Sequence, residues 1–509
     1  MRLTFWLAAL LPILPYALAT NPVQRLRSTR PRVFADSQQR REAIEKRNTN
    51  FFTPAFSNPK AATFHVNSST LPLITFPLQD SWAGRLPITN AMNEERQLFF
   101  WYWPSSKSTE SDTLTIWLNG GPGCSSLGGF LQENGPISFQ PGMTAPQANP
   151  YAWTNASDVV WIEQPVGTGF TLGTPDIHNE SELSDEFYGF LQQFYTVFPE
   201  LAAKKLFITG ESYAGFYIPY IATRIVDASA AEKAALHLDL QGLLINDGVY
   251  SSFITSEEAP TANFSTHFQS VLGFSNSQIT SLQRSSRTCG YETMLRQTQY
   301  PPKGKIDLPN GNRDSVSSKC DLFDTFLNLG KCSIISIPAS TSTASPTCVP
   351  HRKTPCPDTI PLTSPFVYQQ QRSDVQTALH VPGFGTWVDC SDINVFVNGN
   401  DDSAYTETLF PHLLATLPRG VTLWHGLVDA ILFNLGDRIT IQNMTWGGVQ
   451  GFRAPPSTPL IVGGAQKGIF HSERKLTYIE VDNAGHMIET DQPQTALHVF
   501  QSILGQTTL

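Results

Sequence analysis

The chain has 509 residues and a formal charge of −9 at pH 7; 40% of the residues are hydrophobic and only 15% are charged, against about a quarter in an average domain. That length can bury a large core, either as one α/β domain with an insertion or as two domains. The sparse charge, together with 35 Gly and 37 Pro, excludes a coiled coil and a disordered chain, and suits a loop-rich enzyme.

Residues 1–19 read as a secretory signal peptide. Arg2 supplies the positive end, Leu3 to Leu14 the apolar region and Ala17-Leu18-Ala19 the cleavage site. Pro12 and Pro15 break the run, and no second apolar stretch is long enough to span a bilayer, so no membrane anchor is expected. Residues 20–47 are basic, with eight Lys/Arg and a net charge of +5, and end in the dibasic Lys46-Arg47. The segment reads either as a removable pro-segment or as a solvated arm. No aromatics interleave its charges, so nucleic acid is not an expected partner. Loss of Arg2 and of this segment takes the formal charge from −9 to −15. A body that acidic suits an acidic milieu.

Five N-x-S/T sequons, at Asn67, Asn155, Asn179, Asn263 and Asn443, are candidate glycan sites in a secreted chain. The expected location is extracellular, with vacuolar delivery as the alternative. Seven cysteines (Cys124, Cys289, Cys320, Cys332, Cys348, Cys356 and Cys390) imply disulfides with one thiol left over. None has zinc spacing, so neither a metal site nor a cofactor is expected.

Residues 48–250 read as the first part of a mixed sheet flanked by helices. Thr63 to Pro104 alternates apolar and polar residues, the pattern of antiparallel strands, and its aromatic run Gln97 to Trp103 reads as core. Leu114–Leu118 is a buried strand running into the glycine-rich Asn119-Gly120-Gly121-Pro122-Gly123-Cys124-Ser125-Ser126. Such a loop after an early strand is where an α/β-hydrolase places an oxyanion donor, and without a following Lys-Ser/Thr it is no phosphate loop. Ser157–Glu163 is the next strand, and Ser184–Phe198 an amphipathic helix with its charges on the solvated face.

Leu206–Thr209, a short strand, then enters Gly210-Glu211-Ser212-Tyr213-Ala214-Gly215, and Phe216–Val226 follows as a helix. Strand, tight turn and helix are the context in which G-x-S-x-G means a nucleophile elbow. The flanking glycines are expected to let the backbone turn sharply. Asp239–Asn246 reads as the next parallel strand. Residues 251–370 change in texture, rich in Ser, Thr and Pro and in cysteines, and read as an inserted subdomain stapled by disulfides. Residues 371–509 return to the core. Arg372–His380 is a helix, Gly420–Trp424 a strand ending in His425-Gly426-Leu427-Val428-Asp429, and Leu476–Val481 a strand ending near His486; Pro493–Leu504 closes as a helix. The order Ser212, Asp429, His486 is that of an α/β-hydrolase triad.

Residues 117–126, 210–215 and Gly485-His486-Met487, with Ser81-Trp82-Ala83-Gly84, Asp374–His380 and Asp491-Gln492-Pro493, resemble the serine carboxypeptidases from about residue 65 to 505. The stretch from Leu432 to Trp446 is most similar to a secreted fungal branch. The resemblance implies Ser212 as nucleophile, His486 as general base and Asp429 as its orienter, with the backbone N–H groups of Gly121 and Tyr213 as oxyanion hole. It further implies that Asn119, Gly120, Glu133 and Glu211, supported by Trp117, bind the free carboxylate at the C-terminus of a peptide or protein substrate. Two neighbouring buried carboxyls can share a proton, and the protonated one donates to that carboxylate. The implied activity is hydrolysis of the C-terminal peptide bond in acid. An acyltransferase of the same fold often carries Asp where this chain has Glu211, and a non-catalytic glycoprotein would not need the triad.

The resemblance also implies a Cys124–Cys390 bridge. Five insertion cysteines allow many pairings, of which Cys289–Cys356 and Cys320–Cys348, nested and leaving Cys332 free, are expected. The chain departs from the family pattern in having Leu427-Val428 before Asp429 where Asp-x is frequent, Leu432 for a frequent Cys, and Glu489 for the usual Pro.

Overall fold

The computed structural model describes residues 51–140, 143–309, 316–330 and 370–509. The expected signal peptide, the basic segment and Cys332, Cys348 and Cys356 lie outside the described residues. The strands of the main sheet are β1 (His65–Val66), β2 (Ser81–Pro87), β3 (Gln97–Trp103), β4 (Thr113–Leu118), β5 (Asp158–Glu163) and β6 (Lys205–Glu211). They continue with β7 (Asp239–Asn246), β8 (Gly420–Gly426), β9 (Thr458–Val462), β10 (Ala465–Glu473) and β11 (Leu476–Val481). Their spatial order in the 11-stranded sheet is β1-β2-β3-β5-β4-β6-β7-β8-β11-β10-β9. The six central strands, β5 to β11 in that order, pair in parallel, and both edges are antiparallel.

Parallel central strands are buried on both faces, which is why β4, β5 and β8 read as continuous apolar runs. Successive side chains alternate between two cores. Ile116, Ile162, Ile208, Ile245 and Leu423 face one, under helices α2 (Glu180–Val197) and α3 (Ala214–Val226). Trp117, Trp161, Phe207, Leu244 and Trp424 face the other, over α1 (Ser126–Gln132) and the closing helix Pro493–Ile503. The aromatic strand β3 is buried along nearly its whole length, as core. This mixed, mostly parallel sheet between helical layers is the α/β-hydrolase fold.

Between β7 and β8 the chain leaves the sheet. Helices Ala259–His267, Asn276–Thr288, Tyr291–Gln297 and Leu322–Leu329 pack around their own apolar cluster of Phe264, Tyr291, Phe326 and Phe433. A capping box, Ser275 with Gln278, starts the second of them. Val428 and Ala430 belong to the same cluster, so the insertion braces the loop that carries Asp429.

The disulfides match the expectation in one case and overturn it in two. Cys124 is bonded to Cys390, tying the glycine-rich loop to the segment after the insertion. Cys289, however, pairs with Cys320, not Cys356, and Cys320 is therefore not available to Cys348. The reason is local. Cys289 ends the Asn276–Thr288 helix, Cys320 precedes the Leu322–Leu329 helix, and Tyr291 Oη donates to the Cys320 carbonyl at 2.8 Å, which brings the two ends together. Closing a loop of that kind stabilises by restricting the unfolded chain.

Among the sequon asparagines, Asn67 and Asn263 are exposed, and Asn155, Asn179 and Asn443 are half-buried. Asn67 and Asn179 cap helices, Asn155 donates to the Pro150 carbonyl, and Asn443 clamps both backbone groups of Ile306.

Candidate active site

Strand β6 delivers Glu211 and Ser212 to the C-terminal edge of the sheet, and α3 leaves at once behind them. Ser212 has φ 62°, a left-handed conformation that costs a non-glycine residue about 1–3 kcal/mol. Its backbone is fixed by Ser212 N donating to Asn246 O (3.0 Å) and by Gly215 N and Val249 N donating to Ser212 O (2.9 and 3.2 Å). The flanking glycines serve a different purpose from the one expected. Neither has a positive φ; a Cβ at Gly210 would lie 2.1 Å from Leu118 O, and one at Gly215 2.3 Å from Val249 O. The glycines let neighbouring backbone approach, and the serine itself makes the sharp turn.

The glycine-rich loop lies directly against this elbow: a Cβ on Gly120 would be 2.3 Å from the Tyr213 amide nitrogen. Gly121 follows with φ 115°. The backbone of Gly121 and the start of α3 at Tyr213 thus come to the same edge as the half-exposed Ser212.

Asp429 and His486 stand on loops after the adjacent strands β8 and β11. His486 Nδ1 is 2.8 Å from Asp429 Oδ2, with His486 8% and Asp429 1% exposed. Asp429 Oδ1 accepts from Ile431 N at 2.8 Å. Burial opposes ionisation of Asp429, but His486 and His425 outweigh it and hold the carboxyl well below the usual carboxylate range. Burial likewise lowers the His486 imidazole, yet Asp429 and Glu211 leave its pKa raised overall.

A second acidic cluster lies on the other side of Glu211. The Asn119 carboxamide is oriented by Trp117, whose Nε1 donates to Asn119 Oδ1 at 2.7 Å, and by Gly129 N, which donates to the same oxygen at 3.1 Å. Its NH2 group must then point at carboxyls, and Nδ2 reaches Glu211 Oε1 at 2.7 Å and Glu133 Oε1 at 3.5 Å. Glu133, Glu211 and Glu489 each offer an oxygen within 4.8 Å of the others. Asn246 Nδ2 bridges Glu211 and Glu489 at 3.4 Å to each. Burial first, then the neighbouring carboxyls Glu211 and Glu489, push Glu133 well above the ordinary range; burial also raises Glu211, and Glu489 is pushed up to about 8. At least one proton therefore stays in the cluster through the acidic range.

Every expected site residue thus sits along one stretch of the sheet edge. Five further residues belong to the same region. Glu489 looked like a mere departure from the family pattern. Asn246, Asp247, His425 and Asp437 carried no motif, although His425 and Asp247 stand at the ends of strands that the sequence reading placed correctly. Asp247, His425 and Asp429 also bring ligand-type atoms within 4.8 Å of one another, but both nitrogens of His425 are committed, to Asp437 (2.8 Å) and to the Leu432 carbonyl (2.9 Å).

A strained serine on a strand–helix turn, with a His–Asp pair from later loops, defines a serine hydrolase of the α/β-hydrolase fold. A family model for the serine carboxypeptidases matches residues 75–506. A relative named "Probable serine carboxypeptidase", from Arthroderma benhamiae, is 34% identical, covering 91% of this chain and 89% of the relative. Serine-type carboxypeptidase F of Aspergillus niger is 32% identical, covering 89% of this chain and 88% of that protein. Among solved structures, the prohormone-processing carboxypeptidase Kex1 of Saccharomyces cerevisiae superposes with a TM-score of 0.69 at 22% identity, covering 89% of this chain and 97% of that one. The chain belongs to the serine carboxypeptidase family and is a serine-type carboxypeptidase, a hydrolase acting on peptides. Among the described residues, no helix is long and apolar enough to cross a membrane.

Proposed function

We propose that the enzyme removes the C-terminal residue of peptides and proteins in acid through an acyl-enzyme on Ser212, in an extracellular setting. The observation that carries this is the adjacency of Glu211 and Ser212. Consecutive residues place a nucleophile and a buried carboxyl, 2.7 Å from Asn119 Nδ2, at a fixed separation. A chain terminus anchored at the second would have its last peptide bond at the first. An endopeptidase needs no such ruler.

In this reading His486 removes the Ser212 hydroxyl proton during attack, then passes it to the leaving amine; Asp429 holds the ring's tautomer. Charge developing on the carbonyl oxygen is met by the N–H groups of Gly121 and Tyr213, where loss of one donor typically costs about 10²–10³ in rate. Water releases the acyl group. Asn119, with Trp117 behind it, and the backbone at Gly120 grip the substrate carboxylate together with Glu133 and Glu211. A protonated Glu donates to that carboxylate, and the grip is expected to weaken as the cluster ionises. Glu211, in place of the Asp common in acyltransferases, supports hydrolysis. Residues 251–370 are assigned to a cap whose described helices brace the Asp429 loop, and the sequons to glycans.

The test is release of free amino acid from a blocked dipeptide by wild type and Ser212→Ala. The variant should fold, lose at least about 10³-fold in rate and no longer react with a fluorophosphonate. Activity surviving in the purified variant, or acyl transfer to an added alcohol in place of hydrolysis, would contradict the reading.

A further inference from the structure

Two imidazoles share one oxygen of Asp429. His486 Nδ1 lies 2.8 Å from Asp429 Oδ2, and His425 Nε2 lies 3.4 Å from the same atom. His425 stands on β8 and is fully buried. Its Nε2 is 2.9 Å from the Leu432 carbonyl oxygen, which can only accept, so this nitrogen carries a proton. Its Nδ1 is 2.8 Å from Asp437 Oδ2. Asp437 lies in the first turn of the helix Asn434–Asn443, where a negative charge is favoured. Burial raises the Asp437 carboxyl while the His425 charge opposes that rise; with Asp437 ionised, the second nitrogen is protonated as well and the ring is an imidazolium. Burial disfavours that charge, but the neighbouring carboxyls, Asp437 foremost, outweigh it, and the imidazole stays protonated above its ordinary range.

We propose that His425 is a positioning residue for the triad: wedged between Asp437 and the Leu432 carbonyl, it presents a fixed positive charge to Asp429 Oδ2 and so favours neutral His486 in acid.

The surrounding charges make this more than a filled core position. Asp429 and Glu211 face His486 and hold its proton on, whereas His425 acts in the opposite sense. Asp247, from the end of β7, faces His425 at 3.4 Å and is itself tied to Gly426 N at 2.8 Å. Glu480 of β11 lies beside His425 in register but is matched by Arg438 at 2.6 Å. Asp491 and Glu257 both feel the Asp429 charge. A general base that must be neutral in acid therefore sits among carboxyls that would keep it protonated, and His425 is the nearby cation that offsets them. The inference rests on the triad reading given above.

The experiment is kcat/KM against pH, from about pH 3.5 to about pH 7.5, for wild type, His425→Gln and Asp437→Asn. Glutamine removes the charge. Asparagine keeps the shape of the Asp437 contact and removes the counter-charge that holds the second proton on His425, so it serves if the first variant fails to fold. In both, the acidic limb should move up by about one pH unit, which is roughly a tenfold loss on the limb, with KM nearly unchanged and a smaller loss at neutral pH. In ¹⁵N-histidine-labelled wild type, the His425 ring should remain doubly protonated well above the pH at which a free imidazole, with a pKa of about 6.5, loses its proton. A uniform loss with an unmoved limb would make His425 a structural residue, and a spectrum without such a ring would overturn the proposal outright. Activity surviving in Ser212→Ala sinks the triad reading and this inference together; an unmoved limb beside an inactive Ser212→Ala sinks only the inference.

Discussion

Two buried acidic clusters flank Ser212, and equal burial leads them to opposite protonation. Asp429 is 1% exposed and Glu489 is 1% exposed. Asp429 nevertheless holds its charge, while Glu489 is pushed up to about 8. The difference lies in the neighbours. Asp429 faces two imidazoles that can become cations; Glu489 faces carboxyls and the Asn246 carboxamide, none of which can become one. Desolvation raises a buried carboxylic acid, and at Asp429 the two imidazoles reverse it through their charge and their hydrogen bonds. One cluster is thus built to keep a negative charge beside a base, the other to keep a proton beside an incoming carboxylate. Within the first, Asp247 shows the limit of the rule: its Oδ2 has no hydrogen-bond partner among the described residues, and burial pushes it well above the ordinary range despite His425.

The two clusters should fail in different kinetic constants. The largest effect is expected at Asp429. Asp429→Asn keeps the shape and removes the charge that holds the His486 tautomer, so kcat should fall by about 10⁴ while KM changes little. Steady-state kinetics on a blocked dipeptide measures this. A loss below about tenfold would mean that the charge of this cluster is not used in catalysis.

The second cluster should fail in binding. As pH rises through its apparent pKa the shared proton leaves, and KM for free-acid peptides should climb by up to about tenfold per pH unit. A matched peptide amide has no terminal charge and should escape this. Glu133→Gln and Glu211→Gln keep a donor without the ionisation, so each should flatten the climb even where absolute affinity falls. Identical KM profiles for acid and amide substrates in all three proteins would remove the proposed role of the pair.

The contrast between the clusters was only half legible in the sequence. Ser212, Asp429 and His486 announce themselves because each follows a short apolar strand, and strand ends are where an open α/β sheet presents chemistry. Asn119, Glu133 and Glu211 were reachable through the glycine-rich loop and the elbow. His425 and Asp437 were not, because a buried histidine twelve residues from an aspartate has no pattern until a helix folds back on the strand. Glu489 was visible as an oddity, yet its partners Glu133 and Asn246 come from remote segments. The same limit explains the two fold-level misses. The hairpin β9–β10 escaped because its exposed edge residues give no clean alternation, and the Cys289–Cys320 bridge depends on two helix ends that spacing alone does not bring together.

The smallest expected effect concerns stability, and it follows from the same protonation difference. Glu489 rises from an ordinary 4.5 to about 8 in the folded protein. Between those values the folded chain holds a proton that the unfolded chain has released. Folding is then linked to proton uptake, and stability must fall as pH increases across the window from 4.5 to about 8. Glu133 and Glu211, raised by the same burial, add to this slope in the same direction. Asp429 contributes the opposite sign, but its carboxyl is depressed below 3.8, so its slope lies at more acidic pH and does not cancel theirs. The protein should accordingly melt at a higher temperature near pH 4.5 than near pH 8, by a margin of a few degrees. Glu489→Gln removes one titrating group while keeping its volume and a hydrogen-bond donor for Glu133. It should raise the melting temperature near pH 8 and leave the value near pH 4.5 almost unchanged, giving a flatter curve than wild type. Calorimetric scans of both proteins at matched scan rates measure the two slopes. Parallel curves would mean that Glu489 does not hold the extra proton, and the second cluster would then have to be described with its charges distributed over Glu133 and Glu211 alone.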